Sequence, residues 1–284
     1  MKPVSLKFKK NESFYIRDGW FEKALNTIAE NPETNVFAKN NGIKMLGIGA
    51  NMVKGLRYWL QASNIIESTT TRTDIGDLGH LILEWDRYLE TSFSWFLIHY
   101  YLCTNYEECP IFYGVFNSDL KSFRKQDLVR YLESLFSMDG FETKSEYIDE
   151  DTSVFFKSYI DDEEITNPED NYVCPLSSLK LLKKSGDKIE KTRPSYNSLS
   201  YLIVYYALSK IYNFREFKIE DSFEQIGSPY LVFYLDKNMY LQYLEEMRRN
   251  GLITINKTAG LNTVYFEKRY DLPRLFRLYF GGDR

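Results

Sequence analysis

The sequence predicts a mainly α (α+β) fold in which two winged-helix-like units flank a helical middle region. Three observations predict it. Leu46 to Glu67 reads as a tight turn, an amphipathic helix, a stop and a strand. Asp236 to Phe266 gives that order again: N-cap, helix, stop, strand, polar loop, strand. Between them, Ser92–Cys103 is apolar nearly all round, the signature of a buried helix. The boundaries are expected at 1–85, 86–195 and 196–284.

In the first unit, Trp20, Phe21, Ala24, Leu25 and Ile28 make the stripe of a helix over Trp20–Glu30, and Asn31-Pro32 stops it. A second helix is expected from Val36 to Met45. In the next, Val53, Leu56 and Leu60 recur at helical spacing, widened by Met52 and Trp59. Gly47 and Gly49 allow the sharp corner before it, and Ser63-Asn64 offers an end. Ile65–Glu67 and Gly79–Glu84 are expected as the two strands of a wing, with Thr69–Thr73 as its tip.

The middle region reads as helices at Ser92–Cys103, Lys125–Ser137 and Glu146–Tyr159. An acidic linker, Asp161–Asp170, and a packing segment, Val173–Leu182, follow. In the last unit, Leu199–Tyr212 is a core helix and Ile219–Ile226 a short one. Asp236 caps Lys237–Arg249, whose stripe is Met239, Tyr240, Tyr243, Leu244 and Met247. Strands are expected at Leu252–Ile255 and Thr263–Phe266.

With 284 residues and 44% hydrophobic content, the chain can bury sizeable cores. The opening Met1–Lys10 is basic but lacks the apolar stretch of a secretory leader, and the apolar runs are far shorter than the ~20 residues of a membrane span. Three cysteines, widely spread, fit a reducing compartment. A cytoplasmic protein without membrane contact is expected. The net charge of −4 is unevenly distributed: residues 146–170 hold ten of the 40 acidic side chains and only one of the 36 basic ones, Lys157. The rest is mildly basic, so a polyanion would be met by local surfaces. Lys180, Lys183, Lys184, Lys188, Lys191 and Arg193 form one such cluster; an exposed loop is the plainer reading of it.

The helix after Gly49 carries the functional expectation. Its polar side holds Asn51, Lys54, Arg57, Tyr58 and Gln61, types that bond phosphate oxygens or base edges. Arg72 on the first wing and Lys257 on the second are placed to reach phosphate. The plainer reading is an ordinary amphipathic surface helix. Gly47-x-Gly49 is not a nucleotide loop, because Met52 stands at the third position of that fingerprint. In the last unit the exposed helix face carries Glu245 and Glu246 with Arg248 and Arg249, which suits protein contact better than a groove.

Over most of its length the chain resembles a bacterial domain-of-unknown-function family, number 4007. The resemblance rests on Ser13–Trp20, Leu46–Val53, Arg57-Tyr58-Trp59, Asp86, Tyr88, Glu90, Trp95 and His99. It continues through Glu169-Asp170, Cys174-Pro175-Leu176, Gly227-Ser228-Pro229 and Thr258–Leu261. The chain departs from the family pattern at Asn11-Glu12-Ser13, where a His-Glu-Thr is usual, and at Ala50, where a lysine is usual. The resemblance implies a place beside phosphoadenosine-phosphosulfate-reductase-like genes, in DNA phosphorothioation and phage-defence islands. It implies no catalytic residue.

Catalytic signals are sparse. The two histidines are His80 and His99; His99 and Cys103, four apart, could hold a metal but lack further ligands, and core packing is the better reading. Glu142-Thr143-Lys144, with Asp119 or Asp127 upstream, mimics the acidic-x-lysine core of metal-dependent nucleases. Asp161–Glu164 lacks the ligand alternation and glycine of a calcium loop. Asp86 and Glu90 read as structural. The expectation is therefore a non-enzymatic component that binds double-stranded DNA, without cofactor or metal. A protein adaptor of the same system is the alternative, a metal-dependent nuclease the remote one, and other defence-system proteins are candidate partners.

Overall fold

A computed structural model describes residues 5–38, 41–68, 72–161, 173–258 and 261–281. About half the chain is helical and the strands form three small antiparallel sheets, an α+β fold. The wing tip at 69–71 and most of the acidic linker, 162–172, lie outside the described residues.

The chain opens with α1 (Trp20–Glu30), α2 (Asn41–Leu46) and α3 (Ala50–Ala62), then the hairpin β1 (Ile66–Ser68) and β2 (Thr73–Ile75). α1 and α3 bury the stripes read from their periodicity: Trp20, Phe21, Ala24, Leu25 and Ile28 on one, Val53, Leu56, Trp59 and Leu60 on the other. α2 is shorter than its pattern suggested, because Val36 and Phe37 are buried from a turn. The expected strand Gly79–Glu84 is instead part of α4 (Asp77–Trp85). Leu78, Leu81 and Ile82 recur at three and four, which outweighs the short alternation, and Gly79 fits because a Cβ there would lie 2.5 Å from the Ile65 carbonyl.

The middle holds α5 (Ser92–Thr104), α6 (Pro110–Phe116), β3 (Ser122–Phe123), α7 (Lys125–Met138) and α8 (Ser145–Tyr159), then a 3-10 turn (Pro175–Leu179) and the hairpin β4 (Leu182–Ser185), β5 (Lys188–Lys191). So this region is not purely helical: β3, β5 and β4 form a sheet in that order. The lysine cluster at 180–193 is thus no loop. Strand parity splits it, since the pairs Leu182–Lys191 and Lys184–Ile189 share one face and Lys183–Glu190 and Ser185–Lys188 the other. Lys191 lands inside, 5% exposed, with Nζ donating to the Ser118 carbonyl at 3.0 Å between the rings of Phe116 and Tyr234. Burial pulls its ammonium down to about 7.

The last part is α9 (Tyr201–Tyr212), β6 (Phe217–Lys218), α10 (Pro229–Val232), α11 (Lys237–Arg249), β7 (Ile253–Thr258), β8 (Leu261–Phe266) and α12 (Leu272–Phe280). The expected helix Ile219–Ile226 is only a 3-10 turn at Asp221–Phe223. The sheet order is β6-β8-β7. Residues 110–191 and 201–266 therefore share one order: helix, strand, helix, helix, two strands, with the first strand beside the third. β6 and α12 carried no recognised signal. α12 returns to the start of the molecule, where Phe280 stacks on Trp85 and Phe276 and Tyr279 pack on Phe93.

The core runs through α5. His99 is fully buried; Tyr159 donates to its Nδ1 at 2.6 Å and its Nε2 meets the Val232 carbonyl at 2.8 Å. A carbonyl only accepts, so Nε2 carries the proton and the ring is neutral. Burial lowers its pKa to about 4. Cys103 is a free, buried thiol beside it, and burial raises its pKa. Among the described residues no helix is long and apolar enough to cross a membrane.

Candidate nucleic-acid interface

α3 starts at Gly49, which is extended (φ −62°, ψ 157°), after Gly47 at φ +61°. Asn51 and Lys54 face solvent, and Lys54 donates to the Asn51 side chain at 3.2 Å. Gln61 is half-buried on the same side. Arg57 is half-buried too, and its Nε is shielded from solvent with no hydrogen-bond partner. Tyr58 turns inward, a departure from the expected outward face. Its hydroxyl donates to the Glu108 carbonyl at 2.6 Å and lies 3.3 Å from the Cys109 sulfur, and burial raises its pKa. At position 58 the aromatic ring gains more from packing on Trp59 than from water.

Arg72 is exposed and pairs with Asp74 at 2.9 Å, so it is tied along its own hairpin. The side chain of Lys257 lies outside the described residues. Neither is brought to α3 by any described contact. On α11, Glu245 binds Arg248 at 2.8 Å and Arg249 at 3.2 Å, and the Arg248 guanidinium holds its carboxyl down at about 2.

One participant is given no site role by the sequence pattern. Residues 7–14 run across α3, with the Asn11 carbonyl laid on Gly55. The Phe14 carbonyl accepts from the Trp59 indole at 2.9 Å. The segment is pinned from α8: Asp151 accepts from the Lys9 backbone N–H at 2.9 Å and from the Asn11 amide at 2.8 Å. Asp151 is 8% exposed, and burial raises its pKa. Lys9, Glu12 and Ser13 sit at φ of 60°, 52° and 65°. Such left-handed residues cost about 1–2 kcal/mol each, which the Asp151 anchor and the Gly55 contact offset. Lys7 pairs with Glu108, and Glu12 approaches Lys54 at 3.5 Å. Together the segment and α3 bound a groove of about 410 Å³, with Lys7, Lys10, Lys54 and Arg57 against Glu12 and Glu108.

Gly55 is the pivot of this arrangement. A Cβ there would lie 2.7 Å from the Asn11 carbonyl oxygen, which is backbone and cannot swing aside. Gly55→Ala is expected to cost ~1–3 kcal/mol and to loosen residues 7–14. Urea unfolding together with amide exchange of that segment checks it; an unchanged midpoint would show that the segment does not bear on α3.

The nuclease-like residues do not converge. Asp127 lies on α7, bound to Arg130 at 2.6 Å, and Glu142 is exposed between α7 and α8. Among the described residues no group of three or more His, Cys, Asp or Glu could hold a metal ion. His99 and Cys103 face only the core.

Two solved structures share the fold. The magnesium-ion-bound SspB crystal structure matches with a TM-score of 0.84 at 21% identity, covering 98% of this chain and 89% of that one. The SspB crystal structure matches at 0.83 and 22%, with the same coverage. Magnesium is named for that protein. No curated protein matches. The model of a family described as protein of unknown function (DUF4007) spans residues 8–276, nearly the whole chain, and the protein belongs to that family.

Proposed function

We propose that the protein is a DNA-binding component of a bacterial DNA-modification or phage-defence system of the phosphorothioation type. The likeness to SspB is consistent with that setting. The observation that carries DNA binding is the cation-lined groove on α3, where Lys54, Arg57, Lys7 and Lys10 gather beside Gln61, with Asn51 bonded to Lys54 at 3.2 Å. The order of helices and strands supports a winged-helix reading of 110–191 and 201–266, and α1–α3 with β1–β2 supports a third unit in the first part. The division at 85 and 195 belongs to this reading. In it, α3, α8 and α11 hold equivalent places, yet only α3 offers a cationic face. α8 exposes Glu146, Asp149 and Glu150, and α11 neutralises its own charges.

Fluorescence anisotropy of a labelled duplex at two salt concentrations tests the proposal. Binding at low salt that weakens steeply as salt rises is expected. Absence of binding at low salt would reject it.

α11 favours a second role in the same protein. Leu241 is 44% exposed beside internally paired charges, a surface suited to a protein partner. Co-elution with products of neighbouring genes in size-exclusion chromatography, lost on Leu241→Asp, is the expected result; co-elution unaffected by that change would remove α11 from the interface.

A further inference from the structure

We infer that the β4–β5 hairpin, with the ends of β3, is a second surface for the phosphate backbone of duplex DNA, separate from the groove on α3. This rests on the DNA-binding reading and adds to it a contact that positions the duplex without reading its sequence.

The hairpin is a fixed platform. Leu182, Ile189 and Phe123 are buried beneath it, and Phe123 stacks on Phe156 of α8 with ring centroids 6.2 Å apart. Its base is tied twice: Lys191 Nζ donates to the Ser118 carbonyl, and the Thr192 hydroxyl donates to the Lys180 carbonyl. By register, the other side of the sheet holds Lys183 with Glu190, Ser185 with Lys188, and Ser122. Lys121, Arg124, Lys180, Lys183, Lys184 and Lys188 are exposed on the sheet and at its ends. The carboxylates beside them are Asp119, Asp187 and Glu190, so six cations face three anions. Arg124 binds Asp187 at 2.6 Å and Lys183 binds Glu190 at 3.0 Å. Lys180 and Lys188 have no ion pair among the described residues.

Two observations point to phosphate. Lysines that block a sheet edge would account for β4, but Lys188 stands on the central strand and Lys180 before the sheet. No aromatic or apolar side chain is exposed with the cations from Lys183 to Lys188. Protein interfaces gather aromatics and are depleted in lysine, whereas lysines meet a phosphate chain as point charges. Contacts of that kind fix the position of a duplex and carry no sequence information. In this part of the molecule the hairpin acts without its helix, because α8 carries Glu146, Asp149 and Glu150, which phosphates repel. None of the hairpin residues lines the groove on α3, so the two surfaces can be altered independently.

The test uses the full chain, three unrelated duplexes of equal length, a hairpin variant (Lys180→Gln with Lys188→Gln) and a groove variant (Lys54→Ala with Arg57→Ala). Both hairpin lysines are exposed, so that variant keeps the fold, which circular dichroism checks. It is expected to lose about one to two orders of magnitude in duplex affinity near 100 mM salt, equally for all three duplexes, and to flatten the salt slope by about 1.8. Lys180→Arg with Lys188→Arg is expected to retain binding. Combining the hairpin and groove variants is expected to multiply their losses, as for contacts at separate sites. A combined loss no greater than either alone would overturn the separation of the two surfaces. A hairpin variant with wild-type affinity and slope would overturn the proposal while leaving the groove on α3 in place. A loss confined to one duplex would overturn it in favour of base reading. Binding of poly-glutamate that needs the two lysines, with duplex affinity independent of them, would replace DNA with an acidic protein at this surface. A wild type that binds no duplex overturns the DNA reading itself, and this surface with it.

Discussion

Alanine at both Lys54 and Arg57 is expected to lower duplex affinity by about one to two orders of magnitude near 100 mM salt, and to flatten the salt dependence by about 1.8 in slope. Two cations leave a groove that holds four, and Glu12 loses its partner. The freed carboxylate then repels the phosphate that Lys54 would have drawn in. Because Lys54 is exposed and Arg57 has no internal bond at Nε, the pair contributes little to the fold. A salt series by anisotropy, with urea unfolding as control, separates lost binding from lost structure. An unchanged slope would move the DNA contact away from α3.

Acid is expected to unfold the protein through His99. The folded ring holds its proton only near pH 4, whereas the unfolded ring takes one near 6.5. Below 6.5 the unfolded chain therefore binds more protons, and stability is lost as pH falls from 6.5 toward 4. The loss is about 3 kcal/mol over that span. Among the described residues the groups in contact with the ring are Tyr159, Cys103, Phe116, Phe233 and the Val232 carbonyl, none of them a carboxylate that would retain an imidazolium. Asp151 acts with the opposite sign, since its raised pKa favours proton uptake by the folded state. His99→Leu should be less stable at neutral pH, because it strands the Tyr159 hydroxyl and the Val232 carbonyl at ~1–3 kcal/mol each. It should also lose most of the slope between pH 6.5 and 4. Urea midpoints at pH 7 and 4.5 for both proteins decide it; an equal drop in both would put the acid sensitivity elsewhere.

Periodicity made the long helices legible. α1, α3, α5, α7, α8 and α11 carry stripes of three or more turns, and their observed ends fall within a few residues of those expected. Short elements were not legible for a physical reason. At Gly79–Glu84 a strand and a helix predict nearly the same apolar positions, and the choice is made by contact with Ile65 and Ile75. β3 and β6 have two residues each, too few to alternate, and exist because β5 and β8 offer them an edge. Lys191 looked like surface because its chemistry is that of surface; only the hairpin register turns it inward. Within the candidate site, Asn51, Lys54 and Arg57 were readable from the helix wheel. Tyr58 was misplaced by one step around that wheel, where polar and apolar sides meet. The packing of segment 7–14 on α3 was not legible, since its partners are Gly55, Trp59 and Asp151, far away in sequence and matched by no spacing rule.

The docking of α12 on Trp85 and Phe93 bears on how the molecule is made. During synthesis the first hundred residues leave the ribosome with an aromatic surface at Trp85 and Phe93 that α12 later covers. Maturation must therefore wait until residues 272–280 have been made, so folding should be slow, and a message cut short before residue 272 should yield a sticky, chaperone-dependent product.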